Sequence, residues 1–332
     1  MNKLSLSYRR FALFLLALVL VPTLLCGCGG LAALAGGGDT NVLVQAFGLG
    51  PQNYDLLSSL TPTMNQGWYT NPARASLTIN TTDYSDGIKA AVYADQVRTG
   101  ISRYHLGGQY SAIGVEFGLT ADEPDSSAQA TFRFFGDGKL ISLARDVKKA
   151  DRRKFIVDVR GVQDFDLGAE GVPQTGGAPK ASTLVGWGNA TLIKEAGIKY
   201  LVDLTATSDA GWSPPPARGP VSINWRPYPH SIVGTLHKGQ PAASCVYNLG
   251  GLYKKFSTIA GISQHETDTT ATAKFEVLAD GVSLGVATIP QLAELPVQFD
   301  VSGVQTLELR AQVVNSVEND IDIGWGMALL LE

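Results

Sequence analysis

The chain has 332 residues, a hydrophobic fraction of 45%, only 17% charged residues and a formal net charge of −4. That balance excludes a disordered chain and argues against a nucleic-acid partner, which needs a dense basic footprint. Three cysteines cannot build a disulfide framework, and four scattered histidines leave little material for a His-rich metal centre.

The first thirty residues read as an address. Lys3, Arg9 and Arg10 precede an apolar run from Phe11 to Leu25. That run is shorter than the roughly 20 residues a membrane-spanning helix needs, so it fits the core of a secretory signal. Leu25-Cys26-Gly27-Cys28 follows and resembles the bacterial lipobox, in which a cysteine preceded by a small residue becomes the lipidated first residue. Cys28 fits because Gly27 stands before it; Cys26 follows bulky Leu25 and fits poorly. The expectation is a signal peptide over residues 1–27, a protein lipid-anchored to the extracytoplasmic side of a bacterial cell envelope through Cys28, and a flexible Gly-rich tether over 28–49. An ordinary cleaved signal with a secreted product is the alternative. Cys245 is then left alone and reads as a small buried apolar residue.

The chain repeats itself at an offset of about 144 residues. Tyr54-Asp55-Leu56-Leu57 answers to Tyr200 through Leu204, Gly67-Trp68 to Gly211-Trp212, and Ser76 through Asn80 to Pro220 through Asn224. Further on, Tyr104-His105-Leu106-Gly107-Gly108-Gln109-Tyr110 answers to Tyr247-Asn248-Leu249-Gly250-Gly251-Leu252-Tyr253, and Phe132 through Gly138 to Phe275 through Gly281. Val157 through Val162 answers to Phe299 through Val304, and Gly186-Trp187-Gly188 to Gly324-Trp325-Gly326. Two modules are therefore expected, over 50–194 and 200–332, joined by a linker over 195–199. Within each the period is two, as in Leu307, Leu309, Ala311 and Val313, which marks half-buried strands. Asp137-Gly138 and Asp280-Gly281 are hairpin signals, and no long amphipathic helix is found. Short strands at regular spacing predict an all-β chain of two tandem β-sandwiches, with Gly168–Thr183 a Gly- and Pro-rich loop peculiar to the first.

Aromatic side chains beside directional polar groups make an amphipathic binding surface, with an apolar face and hydrogen-bonding groups at its rim. The proline-rich stretch from Gly211 to His230 carries Trp212, Trp225 and Tyr228 with Asn224 and Arg226, and reads as a loop. Trp212 is shared with Trp68 and fits a packing role as readily as a platform; Trp225 has no counterpart, since Thr81 follows Asn80. His237 could bond a hydroxyl or sit as an ordinary strand histidine. Asp122, Glu123 and Asp125 are weak candidates for a calcium ion, a hard cation that takes carboxylates. Lys148, Lys149, Arg152, Arg153 and Lys154 form a basic cluster, either a solvated loop or a contact for an anionic glycan or headgroup. No nucleophile elbow, zinc-protease motif or phosphate loop is present, so no enzyme activity and no obligatory cofactor are expected.

The ordered string Tyr-x-x-Leu-Gly-Gly-x-Tyr, Phe-x-x-x-x-Asp-Gly, Asp-Val-x-Gly-Val and a late Trp resembles the NPCBM carbohydrate-binding modules that accompany glycoside hydrolases such as those of family 98. The resemblance covers nearly the whole chain, twice. It implies a jelly-roll sandwich of the galactose-binding-like kind and a carbohydrate partner. Departures are visible: where the family tends to carry Val-His-Ala, the first module has Val92-Tyr93-Ala94 and the second Leu236-His237-Lys238, and Gly186 and Gly324 precede the late Trp in place of an acid. The expected function is non-catalytic glycan binding, mainly by the second module, with a structural or protein-binding envelope module as the rival reading.

Overall fold

The computed structural model describes residues 42–173 and 181–332. Cys26, Cys28, the expected signal and most of the tether lie outside them, as does the middle of the first-module insert. After a short helix, α1 (Val42–Phe47), the described residues of the first module form eleven strands: β1 (Tyr54–Leu56), β2 (Met64–Gln66), β3 (Thr70–Ile79), β4 (Thr82–Tyr93), β5 (Thr99–His105), β6 (Tyr110–Leu119), β7 (Gln129–Gly136), β8 (Lys139–Lys148), β9 (Arg153–Asp158), β10 (Asp164–Gly171) and β11 (Ser182–Lys194). The second repeats them as β12 (Ile198–Tyr200), β13 (Ala206–Ala210), β14 (Ala217–Ile223), β15 (Arg226–His237), β16 (Ala243–Asn248), β17 (Lys255–Ile262), β18 (Thr272–Ala279), β19 (Val282–Pro290), β20 (Leu295–Asp300), β21 (Thr306–Asn315) and β22 (Asp320–Leu331).

Each module is a pair of facing antiparallel sheets. In the first, the strand order is β3-β4-β11-β6-β9, with β1 also on β11, opposite β2-β5-β10-β7-β8. The second has the identical order, β14-β15-β22-β17-β20 with β12 on β22, opposite β13-β16-β21-β18-β19. Apart from the β3-β4 and β7-β8 hairpins and their counterparts β14-β15 and β18-β19, neighbouring strands are non-consecutive in sequence, as in a jelly roll. The all-β, tandem-sandwich reading holds. Two details differ. Leu57 and Leu201 open equivalent 3-10 turns, so the true match of the opening segments is two residues away from Tyr54 with Tyr200. Gly168 to Gly171 belong to β10 and not to the insert, because they complete its ladders with β5 and β7.

The landmarks have physical reasons. Asp137-Gly138 and Asp280-Gly281 take positive φ at both residues, the condition for a tight hairpin. Each aspartate carboxylate accepts from two successive backbone N–H groups: Asp137 from Gln163 and Asp164, Asp280 from Gln305 and Thr306. One short side chain thereby ties two loops together. Trp187 and Trp325 are fully buried between the sheets, as expected. Cys245 is buried in the second core and burial pushes its thiol up to about 12, so it is inert.

The two cores are packed differently. Phe117, opposite Trp187, belongs to an aromatic cluster with Phe132, Phe134 and Phe155. At the corresponding places the second module has Ala260, opposite Trp325, then Phe275, Val277 and Val297. The smaller side chains leave an apolar crevice against Phe299 and Trp325.

The modules do not hang on a free linker. Glu195 to Gly197 form a turn and β12 begins at Ile198. β9 of the first module packs beside β15 of the second. Across this seam the Ser111 hydroxyl lies 2.8 Å from that of Tyr200. The Tyr200 ring lies 4.2 Å from the His230 imidazole, which is 3.4 Å from Asp158. Ala112, Ile156 and Ile193 join the hydrophobic cluster of the second module. The end of the expected tether is also ordered. Ala46, Phe47 and Leu49 are buried against the second module, where Ser257 Oγ donates to the Phe47 carbonyl (3.1 Å) and Lys255 Nζ to that of Gly48 (3.1 Å). The flexible-tether reading therefore fails for residues 44–49, because three apolar side chains there find a core to join.

Two outcomes follow from these contacts. Phe47→Ala in the intact chain should destabilise the second module by about 3–5 kcal/mol, the usual cost of emptying a buried phenylalanine site, measured by urea unfolding. An unchanged midpoint would show that the segment is not docked. Asp158 is held below the usual carboxylate range: burial opposes ionisation, but His230 and the N–H of Arg160 outweigh it. A depressed folded value gives stability that is present above the unfolded value of about 4 and lost as pH falls through the folded one. Asp158→Asn should therefore lower the thermal midpoint at pH 7, with parent and variant converging below about pH 3.

Candidate functional site

The stretch from Gly211 to His230 is a hairpin and not a loop. β14 pairs with β15 through Ile223 and Arg226, and Asn224-Trp225 make the turn, with φ of 48° and 63°. Three prolines sit within these strands, but β14 is an edge strand, and β15 joins β22 only from Ile232 onward. Pro220, Pro227 and Pro229 thus fall where one side of the backbone needs no ladder donor.

This geometry separates the sequence candidates. Trp225 stands at the tip, 70% exposed. The adjacent Asn224 side chain makes no hydrogen bond among the described residues. Arg226 is ion-paired with Glu294, whose other oxygen accepts from the Tyr228 hydroxyl at 2.7 Å. Tyr228 is 2% exposed, with its ring under Gly326. Burial and Glu294 push its hydroxyl far up, so it stays a neutral donor. Tyr228 is therefore not a sugar platform: side chains alternate across a strand, and its position faces the interior. The first module has the same tyrosine, Tyr84, bonded to Glu116, with Arg152 3.6 Å from that carboxylate.

His237 is at the far end of β15, eleven residues from Arg226. At about 3.3 Å per residue that is roughly 36 Å, so His237 and Trp225 cannot touch one small ligand. His237 pairs with Asp320 on β22. Trp212 lies toward the same end, half-buried, its ring over Gly234 and its indole N–H donating to the Ser244 carbonyl at 2.8 Å. Its packing role prevails over a platform role, as it does for Trp68, which is 6% exposed and meets Trp187 edge-on.

The calcium candidates do not converge. Glu123 is buried and accepts from the N–H groups of Asp125 and Leu184 (2.9 and 2.6 Å). Asp122 is paired with Lys89, and Asp125 accepts from Ser127. Among the described residues no group of three His, Cys, Asp or Glu could hold a metal ion. The residues present do not fit a calcium site. Three residues of the basic cluster are engaged, Lys154 and Arg152 on Glu116 and Arg153 on Asp151.

One cluster escaped the reading of the residues. At the far end of the first module Tyr69 and Tyr93 meet edge-to-face, centroids 5.4 Å apart, and the Arg98 guanidinium lies 5.0 Å from the Tyr93 ring. Tyr93 is the residue that replaces histidine in Val92-Tyr93-Ala94, and that departure was the signal.

The model of the NPCBM/NEW2 domain matches residues 48–193 and 234–330. The chain belongs to the NPCBM/NEW2 domain family. No curated protein sequence matches it. Among solved structures, the tandem NPCBM chain is similar to the tandem CBM51 modules of Sp3GH98, the family 98 glycoside hydrolase of Streptococcus pneumoniae. The identity is 16% and the TM-score 0.35, over 84% of this chain and 99% of that one. It is also similar to the M60 catalytic domain with CBM51-1 and CBM51-2 of Clostridium perfringens ZmpB (14%, TM-score 0.35), spanning 84% of this chain but only 38% of that one. A third is CBM51 from Clostridium perfringens GH95 in complex with methyl-galactose (16%, TM-score 0.33), over 42% of this chain and 99% of that one.

The turn geometry of the second NPCBM module yields a direct check. A tryptophan at φ 63° carries the steric cost of the left-handed region, about 1–2 kcal/mol, which glycine avoids. Trp225→Gly should raise the thermal midpoint slightly. A marked loss of stability would mean that the ring packs on the fold.

Proposed function

We propose that this chain is a non-catalytic glycan-binding protein of a bacterial envelope, held to the membrane by acyl chains on Cys28, with its principal sugar platform at Trp225 of the second NPCBM module. The membership of both segments in a carbohydrate-binding family supports glycan binding in general. The observation that carries the site is Trp225 itself: a large aromatic, 70% exposed, in a backbone conformation that favours glycine. Its indole offers a flat apolar face, and the free carboxamide of Asn224 supplies both a donor and an acceptor for vicinal hydroxyls. Arg226, braced by Glu294, borders the platform with its remaining donors. The tight turn between paired strands presents these groups with little ordering cost on binding.

Screening the purified chain on glycan and polysaccharide arrays tests this reading. A ligand should be found, and Trp225→Ala should weaken it about three- to tenfold in calorimetric titration, the size of one stacking contact. If the chain captures no glycan, it acts as a structural or protein-binding envelope module. For the anchor, Cys28→Ser should move the protein from the membrane fraction to the soluble one; retention on the membrane would refute acylation there.

A further inference from the structure

We propose that the first module carries a second, independent site, for a carboxylated pyranose, built by Tyr69, Tyr93 and Arg98; the proposal extends the glycan-binding reading to another module and another ligand chemistry. The cluster is held from three directions. Tyr69, just before β3, donates its backbone N–H to the Ala91 carbonyl on β4 (2.9 Å), which sets its ring against Tyr93 at the end of that strand. Arg98 closes the connection from β4 to β5 and lays its guanidinium 5.0 Å from the Tyr93 ring. At the base of that connection Thr99 Oγ1 donates to Glu170 (2.6 Å), which also accepts from Arg133 (3.1 Å).

The charges are distributed unevenly. Glu170 is already matched by Arg133, whereas Arg98 makes no ion pair among the described residues. Asp95, in the same connection, is exposed and makes none either. Arg98 is therefore an exposed planar fork, pre-positioned by a cation–π contact that holds it without neutralising it. Such a fork matches a carboxylate through two parallel hydrogen bonds, a match that lysine or a neutral amide cannot reproduce. Tyr69, 50% exposed, supplies the stacking face beside it. A six-membered sugar ring with an exocyclic carboxylate presents both features, an apolar C–H face and an anion at its rim.

The fold does not require these side chains. Ser213 follows Trp212 where Tyr69 follows Trp68, and His237, paired with Asp320, stands where Tyr93 stands. The second module builds the same sheets without the aromatic pair. The cluster is also at the opposite end of its sandwich from the β3–β4 turn that corresponds to Trp225, so the two sites are separable by mutation.

The experiment is calorimetric titration of the full chain with a trimer of galacturonic acid and, in parallel, with the neutral galactose trimer. The acidic trimer should bind and the neutral one bind this site at least tenfold more weakly. Arg98→Gln should reduce acidic binding about ten- to hundredfold, the range for a hydrogen-bonded charge. Arg98→Lys should give an intermediate loss, and Tyr69→Ala a three- to tenfold loss. Trp225→Ala should leave the acidic trimer unaffected, so failure of the second-module platform and failure of this site read out separately. Thermal midpoints of all variants should match the parent, since each residue is at the surface. No binding of the acidic trimer, equal affinity for both trimers with Arg98→Gln silent, or loss of acidic binding only with Trp225→Ala would overturn the proposal.

Discussion

The structure of each module depends on one buried indole. Trp187 and Trp325 sit on the strands at the centre of their sheets and point into the gap between layers. Trp187 meets Trp68 and Phe132 edge-on at 5.9 and 5.4 Å, and Trp325 meets Phe275 at 5.1 Å. A side chain of this size spans much of the roughly 10 Å between packed sheets and so fixes their spacing. The same strand must then accommodate the bulk: Asn189 and Met327, two residues on, take positive φ, and both ladders shift register there. The flanking glycines also have a steric reason, since a Cβ at Gly188 or Gly326 would strike the ring of Tyr84 or Tyr228.

Around that fixed centre the two copies have diverged by compensated exchanges. The buried tyrosine keeps its carboxylate partner in both, but the acid comes from Glu116 on β6 in the first copy and from Glu294 before β20 in the second. The arginine changes place to match, from Arg152 just before β9 to Arg226 at the start of β15. A buried hydroxyl without a partner is costly, so the interaction is retained while the residues that make it move. The packing near the buried indole is less constrained: Ala260, Val277 and Val297 in place of phenylalanines leave a crevice, at the cost of lost contact area.

The fold was legible in the sequence because its determinants are local and occur twice. Asp-Gly turns, Leu-Gly-Gly, the alternation of Leu307 to Val313 and the late tryptophans each specify a backbone conformation or a buried face by themselves. The candidate site was legible only in part. Trp225 stands out in the sequence because it lacks a counterpart, and the structure leaves it exposed. Tyr228 and His237 were joined to it by nearness in the sequence, yet one faces inward by strand alternation and the other is a strand length away. The prolines from Pro214 to Pro229 suggested a loop, because edge position, which makes proline tolerable in a strand, is a property of the sheet and not of the segment. The seam between modules and the docking of the N-terminal segment were illegible for a related reason: Ile156 and Ile193 in the one and Phe47 in the other are ordinary apolar residues until the partner surface is known.

The docking of the N-terminal segment brings the two ends of the described chain together. Gly48 lies against Lys255, and the next residue back, Lys254, donates its backbone N–H to Leu331, the penultimate residue. Entry and exit thus share one corner of the second module, at the start of β17. A body attached after Glu332 would sit beside the point where the polypeptide arrives, and mechanical load between the two ends would pass through that corner alone, bypassing the first module. The first module is then an excursion of the chain that carries no tension. Joining the ends there by a short bridge and opening the chain at the Asp137-Gly138 turn would give a permuted molecule with the same sheets and the same force path interrupted.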